Sequence, residues 1–296
     1  MAQRKGIILA GGTGSRLFPI TSGVSKQLLP VYDKPMIYYP ISVLMLAGIR
    51  EIAMITTPQD RAQFERALGD GTQWGITLTY IEQPSPDGLA QAYILAEDFL
   101  DGAPSAMILG DNLFFGHGLP EHLDHADGQA VGGTVFGYHV TDPERYGVVG
   151  LDAHGRVTEI VEKPEVAPSP YAVTGLYFLD GTAPAKARAV VPSARGELEI
   201  TSLLEMYLNE GSLNVRQLGR GFAWLDTGTY ASLLDAGNFV RTLSERQGMQ
   251  VGCLEEIAFE AGWIDRQQLK ARADLYAKNA YGAYLASLLQ DTAKIG

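Results

Sequence analysis

The residues best suited to chemistry stand near the start of the 296-residue chain, in Leu9-Ala-Gly-Gly-Thr-Gly-Ser-Arg-Leu17. Glycines there let backbone N–H groups approach an anion with no side chain in the way. Neither of two common phosphate loops fits. The pattern G-x-G-x-x-G needs a glycine where Leu17 stands, and the P-loop needs a Gly-Lys pair, which the sequence lacks. What this segment adds is a cation inside the glycine stretch, Arg16, and a second cation, Lys26, in Ser25-Lys26-Gln27. A planar guanidinium fork, a point charge and bare amides together suit a triphosphate. The same residues would also make a tight turn carrying two solvated cations.

Two aspartates come next. Asp111 follows the apolar run Ala106–Leu109, and Asp226 follows Phe222–Leu225. Open parallel sheets bind ligands at the carboxyl ends of their strands, and magnesium is usually held by one or two carboxylates plus substrate phosphates. Each aspartate also has a plain structural use, as a helix cap or an Asx-turn. Lys163 precedes Pro164, so an extended backbone is expected there, and beside Glu162 it also reads as a solvated ion pair. His117, His122, His125, His139 and His154 have no metal-ligand spacing. No G-x-S-x-G elbow occurs, so a protein nucleophile is not expected.

The elements that must position these residues alternate through the first two thirds. Lys5–Leu9, Glu51–Thr56, Ile76–Ile81 and Ala106–Leu109 read as strands. Pro35–Ala47 (with Pro35 in its first turn), Pro58–Leu68 and Leu89–Leu100 read as helices. That alternation implies a mostly parallel sheet covered on both faces. Further strands at Thr134–Val140, Val148–Leu151, Val157–Val161 and Ala172–Leu179, with short turns between them, read as a mixed or antiparallel extension. Glu197–Asn209 and Tyr230–Gln247 read as helices, Leu213–Leu218 and Phe222–Leu225 as strands, and Glu255–Lys294 as a helical tail. No linker divides the chain. The expected organisation is an α/β unit over residues 1–250 and a C-terminal helical segment, 251–296, packed on it.

Composition narrows the partners. Hydrophobic residues at 46% and charged residues at 19% give an ordinary globular chain. With 23 basic against 34 acidic residues, the net charge of -11 argues against general nucleic-acid binding. Any phosphate must therefore be met in a local basic pocket. The start lacks a signal-peptide core, and Pro40 breaks the longest apolar stretch, so no membrane contact is expected. One cysteine, Cys253, fits a reducing compartment, and the expected location is the cytoplasm.

Gly11-Gly-Thr-Gly-Ser-Arg-Leu17, with Pro19, Lys26 and Pro30, resembles the signature of the sugar-1-phosphate nucleotidyltransferase family. The likeness continues through Lys26–Pro40, Gln83–Ala92, Leu109–Asn112, Asp142–Val148, Glu162–Pro164, Tyr171–Tyr177, Arg195–Thr201 and Trp224–Thr229, nearly the whole chain in order. Within the family it is similar to the branch that joins dTTP to glucose 1-phosphate. Ser15, where many members carry threonine, keeps the hydroxyl. The resemblance implies a Rossmann-like α/β fold, and Mg2+ on Asp111 and Asp226. It implies Arg16, Lys26 and Lys163 as the cations of the reaction. It also implies nucleotide or substrate contacts from Gly11, Gly14, Ser15, Gln27, Gln83, Gly88, Asn112, Gly147, Glu162 and Val173. Gln83 and Gly88 fall where members read the pyrimidine; Gly147, Glu162 and Val173 fall on the sugar. Members are homotetramers, and some are inhibited at a second site by an end product such as dTDP-rhamnose; Gly219–Gly221 and Glu255-Glu256 are candidate segments. A uridylyl- or cytidylyltransferase, a non-catalytic nucleotide-sugar sensor and, least favoured because of Leu17, an NAD-dependent enzyme are the alternatives.

Overall fold

Strand β1 (Lys5–Ala10) is apolar from Gly6 onward because it lies inside a sheet with both faces covered. The computed structural model describes residues 3–12 and 14–290. After β1 come a short ladder, β2 (Pro30–Val31) and β3 (Lys34–Pro35), then α1 (Tyr38–Leu46), β4 (Glu51–Thr56), α2 (Arg61–Leu68) and β5 (Thr77–Glu82). The chain continues with α3 (Gln91–Leu95), α4 (Glu97–Leu100), β6 (Ser105–Leu109), β7 (Asn112–Phe115), α5 (Leu119–Asp127), β8 (Gly133–His139), β9 (Gly147–Leu151), β10 (Val157–Glu162) and β11 (Tyr171–Leu179). It closes with α6 (Ala183–Ala189), α7 (Ile200–Asn209), β12 (Leu213–Leu218), β13 (Ala223–Asp226), α8 (Tyr230–Gln247), α9 (Leu254–Glu260), α10 (Arg266–Leu275) and α11 (Ala280–Leu288).

The main sheet runs β10-β9-β11-β6-β1-β4-β5, with β8 and β12 branching from β11. Strands β6, β1, β4 and β5 are parallel, as the strand–helix alternation implies. Beyond β6 the sheet turns antiparallel: Tyr177 of β11 lies opposite Met107, and Ala172 lies opposite Val148 of β9. One edge of β11 therefore passes from β6 to β9 midway. A crevice opens at that change of partner, beside the carboxyl ends of β1 and β6, where strand ends leave backbone groups free for a ligand. A separate ribbon, β7 paired with β13, sets Asp226 opposite Asn112.

Some elements differ from the sequence expectation. Pro35 ends a strand instead of opening a helix, because its neighbours pair across the β2–β3 ladder. Leu89–Leu100 divides at Ala96 into α3 and α4. Among the described residues the tail is three helices. Asp265 and Asn279 cap the second and third, each side chain accepting a backbone N–H. The last part of the expected tail, 291–294, lies outside the described residues. β7, α5 and α6 were not expected at all.

The tail helices bury Leu254, Ala258, Leu269 and Leu285 in one apolar cluster with Ile41 and Leu44 of α1. They are also tied by charge. The Glu255 carboxylate is fully buried and accepts from Arg272 Nε and Nη2 at 3.1 and 3.0 Å and from Tyr281 Oη at 2.5 Å. Arg272→Met would strand that carboxylate, at a cost of about 3–5 kcal/mol. Thermal unfolding should show the melting temperature falling by roughly 10 °C. An unchanged melting temperature would show that the pair contributes no net stability.

Candidate active site

The cleft at the β6/β9 change of partner holds about 560 Å³. Its floor is carboxylate. Asp111 stands in the tight connection from β6 to β7, and Asp226 ends β13 on the adjacent strand. Thr227, fully buried, donates from both its N (3.2 Å) and its Oγ1 (2.8 Å) to the Asp111 carbonyl, locking the two segments together. The helix-cap use open to Asp226 is taken elsewhere: Thr229 caps α8 with a reciprocal bond from Ser232. Asp226 is left facing the cleft.

Both oxygens of Asp111 are engaged. Lys26 Nζ lies 2.5 Å from Oδ2, and Asn112 Nδ2 donates to Oδ1 at 2.9 Å. Burial pushes the Asp111 carboxyl up, but the Lys26 ammonium and these hydrogen bonds outweigh it, so its pKa lies below the ordinary aspartate value. Asp226 goes the other way. Burial and then the Asp111 charge raise its pKa, against the opposing pull of Lys26, Arg16 and Arg145. Two carboxylates sharing one partly dry floor repel, and a cation between them would remove that cost. Among the described residues no group of three or more His, Cys, Asp or Glu could cage a metal. The donor set therefore suits a hard divalent ion that takes its remaining oxygens from substrate.

The rim is basic. Arg16, Arg145, Lys163 and Arg195 all line the cleft. Arg16 is carried by a three-residue turn whose start, Gly14, takes a φ of 63° and holds Leu17 N at 2.9 Å. Gly14 and Ser15 themselves are not part of the cleft wall; they aim the arginine. A Cβ on Gly228 would lie 3.0 Å from Asp226 Oδ1 and 3.5 Å from Arg16 Nη1, so guanidinium and carboxylate both border this glycine. Lys26 does not line the cleft; its buried side chain reaches Asp111 from behind. Lys163 corrects the sequence expectation. Its φ of 41° is left-handed, not extended. Its N–H is bound to the Tyr146 carbonyl at 3.0 Å, and the strained turn directs its side chain beside Glu162, with Nζ at 3.3 Å.

Gln83, Gly88, Gly11 and Gln27 line the other end. Gln91 Nε2 donates to Asp87 at 2.9 Å, so its Oε1 must face Gln83, which donates from Nε2 at 2.7 Å. The Gln83 carbonyl is thereby left pointing at Gly11, where an added Cβ would lie 2.0 Å from it. Gly88, at φ 113°, abuts the Leu198 backbone, 2.4 Å from a built Cβ, and only glycine fits. Gly147, Glu162 and Val173 stand together on the wall between these ends. Reading the residues gave no role to Arg145, Arg195 or Trp224, although all three lie in the motif runs. An arginine among acidic neighbours reads as solvated; Arg195 does reach Glu199 at 2.8 Å, yet it also forms cleft wall. Exposed His117 is not part of that wall.

A family model for nucleotidyl transferases matches residues 5–242. The chain belongs to the nucleotidyl transferase family. It is 62% identical over 288 residues to a glucose-1-phosphate thymidylyltransferase of Xanthomonas campestris, covering 97% of this chain and 98% of that one. It is 53% identical to one of Mycolicibacterium smegmatis, covering 96% and 99%. A solved Bacillus anthracis protein, provisionally assigned as a glucose-1-phosphate thymidylyltransferase and bound to sucrose, superposes with a TM-score of 0.75. It is 41% identical, covering 80% of this chain and 95% of that one. A UDP-glucose pyrophosphorylase bound to UDP-glucose superposes with a TM-score of 0.72 at 26% identity, covering 81% and 99%. Nucleotidyl transferases of this kind act on a sugar 1-phosphate and a nucleoside triphosphate, and generally use a divalent metal. Among the described residues no helix is long and apolar enough to cross a membrane.

Proposed function

We propose that this protein transfers the thymidylyl group of dTTP to glucose 1-phosphate, forming dTDP-glucose and pyrophosphate, as the entry to dTDP-rhamnose or other deoxysugar synthesis. One observation carries the reading: Asp111 and Asp226 share the floor of a cleft whose rim holds four cations. Curated relatives named for this reaction support the choice of sugar and base. In the proposed reaction a phosphate oxygen of glucose 1-phosphate attacks the α-phosphorus of dTTP. The new P–O bond forms as the bond to pyrophosphate breaks.

The nucleophile is already an anion, so no general base is needed. The work is positioning two anions and neutralising developing charge. Arg16 and the Gly11 and Gly12 amides hold the leaving phosphates. Lys163 holds the attacking phosphate, with Glu162 on the sugar hydroxyls and Gly147 and Val173 against the ring. Lys26 leaves Asp111 for a phosphate oxygen when the nucleotide arrives. Asp111 and Asp226 would hold Mg2+, which supplies Lewis-acid neutralisation at the α-phosphate. Gln83 offers its carbonyl to an N3–H, which thymine and uracil carry and cytosine lacks. Residues 1–250 form the catalytic unit in this reading, and 251–296 brace it. A homotetrameric assembly with dTDP-rhamnose feedback completes the proposal, with Glu255 excluded from ligand contact by its burial against Arg272.

Pyrophosphate release from glucose 1-phosphate with dTTP, UTP, CTP, ATP and GTP tests this directly. dTTP should be used best, UTP less well, and CTP at least 100-fold less well. No release with any of them would favour the sensor reading. Gly11→Ala should push the Gln83 carbonyl aside, raising the KM for dTTP about 10-fold, the scale of about one lost hydrogen bond, with little change in melting temperature. An unchanged KM would remove Gln83 from base recognition.

A further inference from the structure

A buried chain of hydrogen bonds with one possible direction runs from Trp224 to the Asp111 carboxylate. Trp224 Nε1 donates to Asn112 Oδ1 at 2.6 Å, and Gly175 N donates to the same oxygen at 3.2 Å. An indole N–H and a backbone N–H can only donate, so that end of the Asn112 amide must be its oxygen. Its other end must then be the NH2 group, which donates to Asp111 Oδ1 at 2.9 Å. Asn112 and Trp224 are both buried, and Tyr146 and Tyr138 pack edge-on against the indole at 5.2 and 5.8 Å. The contact to Gly175 is close as well: a Cβ there would lie 2.6 Å from Asn112 Oδ1.

We propose that Trp224 is a positioning residue: through the Asn112 amide its indole N–H fixes the orientation of the Asp111 carboxylate for a divalent cation. Trp224 stands two residues before Asp226 on β13, so one strand carries the second carboxylate and orients the first. Freely rotating, Asp111 could turn either oxygen to any donor. With Oδ1 held by Asn112, rotation is restricted to the arrangement in which Oδ2 is the oxygen that meets Lys26. Outer partners of this kind typically change metal affinity by roughly 10–100-fold.

This inference rests on the reading of Asp111 and Asp226 as metal holders, and the test separates the two. Mn2+ bound to the enzyme–dTTP mixture is measured by EPR, with the dTTP-only signal subtracted. Trp224→Phe keeps an aromatic ring in place and removes the donor. It should weaken Mn2+ binding about 10-fold or more. Gly175→Ala disturbs the same amide from the other side and should weaken Mn2+ binding too, which keeps the test decisive if one variant fails to fold. If either folded variant lowers the melting temperature but leaves Mn2+ affinity within twofold of wild type, Trp224 only packs and the proposal is overturned. If Asp226→Asn also leaves Mn2+ binding unchanged, the metal reading itself fails.

Discussion

Asp226→Asn is expected to lower kcat roughly 1,000-fold, about 4 kcal/mol of barrier, while leaving the ligand-free enzyme as stable as wild type or more so. The two effects have one cause. Asp226 is raised by burial and by the Asp111 charge, so the fold favours its neutral form. A group with a raised folded pKa contributes its full stabilisation below its unfolded value and loses it as pH rises through the folded pKa. Ligand-free wild type should therefore lose stability as pH climbs through the Asp226 titration, and Asp226→Asn, permanently neutral, should not. Asp111→Asn should also lose activity but behave oppositely in stability, because it leaves buried Lys26 without its 2.5 Å partner. Melting curves against pH for the two variants check this. Equal stability loss in both would contradict the assigned asymmetry.

The second large effect is at Lys163. Lys163→Ala should lower kcat/KM for glucose 1-phosphate by roughly 100- to 1,000-fold, about 3–4 kcal/mol, with the KM for dTTP little changed. Lys163→Gly should lose as much activity yet raise the melting temperature above that of Lys163→Ala. The φ of 41° strains any residue with a Cβ, a cost of about 1–2 kcal/mol that glycine avoids. Steady-state kinetics with each substrate varied, beside melting curves, separate the two contributions. Near wild-type turnover in Lys163→Ala would remove the lysine from the proposed mechanism.

What the sequence made legible follows from how each signal arises. β1, β4 and β6 are buried on both faces, so their apolar runs stand out, while β5 at the sheet edge shows as an alternation; the parallel sheet followed from them. β7 was hidden because Asn112–Phe115 is short and pairs with β13, more than a hundred residues away, which no local pattern records. The glycine-rich turn announced Arg16 because few structures need three glycines before a cation. Lys163 was misread in backbone because the local preference before a proline yielded to a tertiary bond, Lys163 N to the Tyr146 carbonyl. The polarity of Gln83 and of Asn112 could not be seen at all. Each depends on partners brought in by folding: Gln91 and Asp87 for one, Trp224 and Gly175 for the other.

The most direct measurement is a crystal structure of the protein grown with Mn2+ and dTTP, with data collected at the manganese absorption edge. One anomalous peak should lie about 2.1 Å from a carboxylate oxygen of Asp111 and of Asp226, with Arg16 on the phosphates and Lys26 withdrawn from Asp111. A peak bound away from both aspartates, or Arg16 turned from the triphosphate, would contradict the account.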